Sequence, residues 1–73
     1  MLKIFSQRLR ICRTTQGKLQ TQVSEETGIN YRTYCRYERG NVDVPISAAV
    51  KLANYFNVSL DYLTGRTDTA DIP

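Results

Sequence analysis

The sequence predicts an all-α domain, a compact bundle of five short helices, on three observations. Apolar residues recur at helical spacing along nearly the whole chain, and no stretch alternates apolar and polar long enough to make a strand. The helical runs are punctuated by Gly17, Gly28, Gly40, Asn57 and Gly65, residue types that end helices. At 73 residues the chain makes one domain with a modest core, burying only about 60% of its unfolded surface.

Each helix carries its own signal. In the first, from about Lys3 to Thr15, Phe5, Leu9 and Cys12 stand at i, i+4 and i+7 and mark the buried face; Ile4 and Ile11 form a separate stripe that points elsewhere. The second runs from about Gln20 to Thr27, behind Leu19, which has no oxygen with which to cap it. Gly28 then interrupts the chain where a tight turn uses a positive φ. Asn30 is a good N-cap for the third helix, which ends at Gly40. After the loop 41–45, Ile46, Ala49, Val50, Ala53 and Phe56 give the fourth helix its apolar stripe. Asn57 and Val58 end it, and Ser59 caps a last helix, Leu60 to Thr64. Residues 1–66 are thus the domain, and residues 67–73 a polar tail expected to fray.

Several function classes are excluded early. There is no His, and Cys12 and Cys35 stand alone without metal-ligand spacing, so neither a metal nor another cofactor is expected. With no triad, phosphate loop or paired-carboxylate cleft the chain does not read as an enzyme, and no small-molecule ligand is evident. No apolar run approaches the roughly 20 residues of a membrane span, and the start MLKIFSQRLR is too charged for a signal-peptide core. The expectation is a cytoplasmic protein with reduced thiols.

Charge is unevenly placed. Residues 1–40 carry eight Lys/Arg against three acids, a net +5, whereas residues 41–73 carry two against four, a net −2. This suits an anionic partner met by the N-terminal half; by itself it equally suits a solvated basic surface.

The third helix concentrates that charge on one face. At about 100° per residue, Arg32, Arg36 and Arg39 fall within about 60° of one another, flanked by Tyr31 and Cys35. Tyr34 and Tyr37 lie opposite. The aromatic face can be buried, while the cationic face must meet water or an anion. Arginine's planar fork matches guanine O6 and N7, or a phosphate.

The run QTQVSEETGINYRTYCRYERG resembles the helix-turn-helix of the phage repressor/Cro family, also called the Xre family. Gln20 opens the first helix of the motif, Ser24 is small where two helices approach, Gly28 and Ile29 form the turn, and Arg36-Tyr37-Glu38-Arg39-Gly40 closes it. Phe5 to Leu9 and Arg13 resemble the family's first helix, and Ala53 to Arg66 its last two. The resemblance implies a lambda-repressor-like DNA-binding bundle. It implies that Tyr31, Arg32 and Arg36 touch base edges, with Thr33 as a helper. Gln20, Asn30, Arg39 and Asn41 would hold phosphates. Arg13 and Glu38 would pair and orient the reading helix, and Arg13 would also reach a phosphate. The chain departs from the family at Leu19 (usually a capping Ser/Thr), Tyr34 (usually Ile or Val) and Pro45 (often a capping Ser).

The expected function is therefore sequence-specific binding of double-stranded DNA by a bacterial or phage transcriptional regulator. A repressor that occludes its operator leads. An antitoxin or a restriction–modification controller of the same fold is the alternative, and a protein-interaction module that has lost DNA binding comes behind both. One short helix reads few base pairs, so a homodimer on a palindromic operator is expected, with Tyr55, Leu60 and Tyr62 as candidate contacts.

Overall fold

The computed structural model describes residues 2–70, and five helices account for most of them: α1 (Leu2–Thr15), α2 (Gln20–Thr27), α3 (Tyr31–Arg39), α4 (Ile46–Phe56) and α5 (Leu60–Thr64). The all-α bundle expected from the periodicity is present, with boundaries within a residue or so of those expected. α1 packs against α3 and α5, α2 against α3 and α4, and α4 against α5. Their shared interior holds Phe5, Leu9 and Cys12 from α1, Val23 from α2, Tyr34 and Tyr37 from α3, and Leu63 from α5, all buried.

Local chemistry sets the helix ends. Asn30 Oδ1 accepts from the backbone N–H groups of Arg32 (3.0 Å) and Thr33 (3.3 Å), so α3 starts where its cap dictates. Ser59 Oγ does the same for α5, accepting from Tyr62 N at 3.0 Å. Leu19 and Pro45 make no side-chain cap, as their chemistry requires. Between α2 and α3, Gly28 adopts φ 75° and returns its N–H to Ser24 O, which is the left-handed stop that an L side chain resists. Ser24 Oγ crosses the same turn to Ile29 O at 2.6 Å. These two contacts set the angle at which α3 leaves α2.

Two expectations are corrected. The apolar stripe of α4 is rotated from the one read in the sequence: Ala49, Leu52, Ala53 and Phe56 are buried, whereas Ile46 is 69% exposed and Val50 41%. The buried seam runs i, i+3, i+4, i+7 from Ala49, and Ile46 and Val50 stand at its solvent edge. The tail is also held further than expected. Arg8 Nη1 donates to the carbonyls of Tyr62 (2.6 Å) and Thr67 (2.5 Å), Nη2 donates to Asp68 Oδ1 (2.8 Å), and Ser59 N–H donates to Ala70 O (3.0 Å). Residues 67–70 are held by the Arg8 guanidinium, which ties Thr67 and Asp68 to the Tyr62 carbonyl of α5, and by the Ser59 N–H at Ala70. The remainder of the expected tail, residues 71–73, lies outside the described residues.

Of the Ile4/Ile11 stripe, both side chains are about half exposed. Ile4 meets the end of α5, where Gly65 leaves room: a Cβ at Gly65 would lie 2.9 Å from Ile4 Cγ2. Tyr55 and Tyr62, offered above as intermolecular contacts, are engaged within the chain. The Tyr55 hydroxyl donates to Glu26 and its ring meets Phe56 edge-on, while the Tyr62 ring lies under the Arg8 guanidinium at 4.4 Å.

Candidate nucleic-acid interface

α3 presents the two faces that its sequence implies. Tyr34 and Tyr37 are buried in the bundle, and Arg32, Arg36 and Arg39 are exposed. None of the three arginines forms an ion pair with an acid among the described residues. With Tyr31, Cys35, Glu38, Gln20 and Arg10 they line an open groove of about 500 Å³ along α3. The cationic arc is thus unneutralised and outward, the arrangement that binds anions.

The groove is organised from beneath by Glu38, whose side chain is only 2% exposed. A buried carboxylate needs both charge and hydrogen-bond partners, and Glu38 has both. Arg13 grips it with Nε to Oε2 at 2.7 Å and Nη2 to Oε1 at 3.1 Å. The Tyr34 hydroxyl donates to Oε2 at 2.5 Å, and Gln20 Nε2 donates to Oε1 at 3.2 Å. Burial and the adjacent carboxylate push the Tyr34 phenol far above its ordinary range, so it stays a donor. The hydrogen bond to Glu38 likewise raises Arg13. One carboxylate thereby joins α1, α2 and α3.

The sequence-derived residues divide by position. Tyr31, Arg32, Arg36 and Arg39 come together in the groove. Thr33 is half-buried beside it, and its backbone N–H is used by the Asn30 cap. Asn30 and Asn41 are exposed at the two ends of α3. The Asn30 oxygen is occupied by the cap, which leaves its amide nitrogen for an outside acceptor. Gln20 lines the groove but is turned inward: its amide donates to Glu38, and its oxygen accepts from the Cys35 thiol at 3.6 Å. Arg13 is the least available. All three of its nitrogens are engaged, the third with Lys18 O at 3.1 Å, and its side chain is 16% exposed. Its geometry is that of a positioning group.

Sequence reasoning missed Arg10, which lines the groove from α1, and the convergence of Tyr34 and Gln20 on Glu38. The i, i+3 spacing of Arg10 and Arg13 was the available signal for the first. It also missed a clasp between α2 and α4. There Glu26 accepts from Tyr55 and Gln22 and pairs with Lys18 at 3.6 Å, and Lys18 stands over the Tyr55 ring at 5.3 Å.

Comparison with known proteins identifies the family. The family model described as helix-turn-helix matches residues 9–63. An SPbeta prophage-derived HTH-type transcriptional regulator of Bacillus subtilis, YonR, is 35% identical over 82% of this chain and 56% of its own length. The B. subtilis HTH-type transcriptional regulator ImmR is 33% identical over 90% of the chain and 52% of its own. The cryptic phage CTXphi transcriptional repressor RstR of Vibrio cholerae is 35% identical over 89% of the chain and 58% of its own. The chain therefore spans little more than half the length of these curated relatives. No solved structure gives a significant match.

Proposed function

We propose, from the premise that this chain belongs to the helix-turn-helix family, that it is a DNA-binding transcriptional regulator that represses by occluding an operator. In this reading α3 lies in the major groove, with Tyr31, Arg32 and Arg36 at base edges and Thr33 beside them. Arg39, Asn30, Asn41 and the backbone at the start of α2 hold phosphates. Arg13 and Glu38 orient α3.

The observation that carries the proposal is the arc of Arg32, Arg36 and Arg39. Three exposed guanidinium groups lie on one helix face whose opposite face is locked into the core. The relatives' names, regulators and a repressor from phage or prophage, favour a repressor from a mobile element. Acting on DNA places the protein in the cytoplasm.

A homodimer on a palindromic site completes the proposal, because one short α3 contacts too few base pairs for useful specificity. Of the three side chains considered for the dimer contact, Leu60 remains: Tyr55 and Tyr62 are engaged within the chain. Selecting bound duplexes from a random pool tests the whole reading. Two inverted half-sites about 10 base pairs apart, centre to centre, are expected. A single unrepeated half-site removes the dimer, and the absence of any salt-dependent affinity for duplex removes the phosphate contacts and supports a protein-interaction module instead.

A further inference from the structure

Arg10 and Arg13 stand one turn apart on α1 and both address Glu38, but they do so very differently. Arg13 is largely buried and holds the carboxylate with two nitrogens, the shorter bond at 2.7 Å. Arg10 is 60% exposed at its side chain; its Nε lies 3.8 Å from Oε1, and Nη2 reaches the Glu38 carbonyl oxygen at only 3.4 Å. Glu38 without Arg10 keeps Arg13, Tyr34 and Gln20, so moving Arg10 leaves no buried charge bare. An ion pair this long, whose cation is 60% exposed and whose carboxylate is already held by Arg13, is easily exchanged by that cation for another anion.

The surroundings favour that exchange. Arg10 lines the same groove as Arg32, Arg36 and Arg39, and among the described residues the one acid on that wall is Glu38, which Arg13 already matches. Four guanidinium groups therefore face one opening without a free counter-charge of their own.

We propose that Arg10 is a phosphate clamp: it rests loosely on Glu38 in the free protein and turns to a DNA backbone phosphate in the complex. The clamp lies in α1, outside the helix-turn-helix, and extends the DNA footprint past the reach of α3. It rests on the DNA-binding reading above. Its chemistry is charge and a bidentate fork, which hold a phosphate oxygen whatever the base sequence.

The test compares duplex affinity across a salt series for the wild type, Arg10→Ala, Arg10→Gln and Lys51→Ala. Lys51 is exposed on α4 and lies outside the groove, so it controls for loss of one charge alone. The probes are a mixed-sequence duplex two turns long and the duplex best enriched from a random pool. Both Arg10 variants should bind both probes several-fold more weakly, by the same factor. Their slope of log affinity against log salt should shrink by about 0.9, one phosphate's worth, with Lys51→Ala unchanged. A purely structural Arg10 would lower the unfolding midpoint and leave the salt slope at the wild-type value, which overturns the clamp. Equal slope changes in Lys51→Ala also overturn it. A wild type without salt-dependent binding overturns the DNA reading as well, so the two failures are distinguishable.

Discussion

The Arg13 guanidinium holds the Glu38 carboxylate side-on, Nε to Oε2 at 2.7 Å and Nη2 to Oε1 at 3.1 Å, and so bolts the first helix to the last turn of α3. The pair spans 25 residues of sequence and is nearly dry, with side-chain exposures of 16% and 2%. It ties the helix that carries the arginine arc to α1.

Removing one side of this pair should cost more than removing both. Arg13→Ala leaves a buried carboxylate with two neutral donors and only the long, exposed Arg10 contact at 3.8 Å, and should lower stability by about 3–5 kcal/mol. The double variant Arg13→Met/Glu38→Met should recover a large part of that loss. Urea unfolding of the single and double variants measures the coupling; additive losses would mean that the pair does not act as a unit.

Tyr34→Phe keeps the ring and removes one donor to Glu38. A loss of about 1–3 kcal/mol is expected, because the buried acceptor is left short of a partner. The same substitution at Tyr37, whose hydroxyl makes no hydrogen bond among the described residues, serves as the comparison and should cost less.

Gly28→Ala should destabilise by about 1–2 kcal/mol. Nothing lies within 4 Å of the added Cβ, so the cost is backbone strain at φ 75° and not a clash. Gly28→Asn should therefore recover part of the stability in a thermal melt. If alanine and asparagine melt alike, strain is not the cause.

Arg36→Ala and Arg39→Ala should separate by sequence. The first should lose about 1–3 kcal/mol on the selected duplex and discriminate less between bases. The second should weaken all duplexes evenly. Uniform losses from both would withdraw Arg36 from base reading.

The α2–α4 clasp should be visible in a titration. The Tyr55 hydroxyl, then Gln22 and Lys18, hold the Glu26 carboxyl below its ordinary pKa. A depressed carboxylate contributes stability above its unfolded value, about 4.3. That contribution is lost as pH falls through the folded value. Tyr55→Phe should move the Glu26 titration upward, read by NMR of its side-chain carboxyl. An unmoved midpoint would separate Tyr55 from Glu26.

Some of this was legible before any coordinates. The five helices, the Asn30 and Ser59 caps and the stop at Gly28 follow from chemistry within four residues of each position, which is what a sequence displays. The split of α3 into an arginine face and a tyrosine face was legible for the same reason: 3.6 residues per turn places them without reference to any neighbour. The Arg13–Glu38 pair was legible only through family resemblance, since nothing local links residues 25 apart.

Tertiary structure decided the partners. Arg8, counted in the sequence with the DNA-directed charge, instead gathers the tail, reaching Asp68 across 60 residues. Arg10, on the same helix, belongs to the groove. α4 buries Leu52 and leaves Ile46 outside, because the crossing of α2 and α5 over it selects which edge of its apolar stripe is covered. The sequence by itself determined where helices begin, end and turn their faces, because those are set by short-range geometry. Which guanidinium is buried on a carboxylate and which is left for an anion depended on how the helices cross, and that is settled only when the whole core packs.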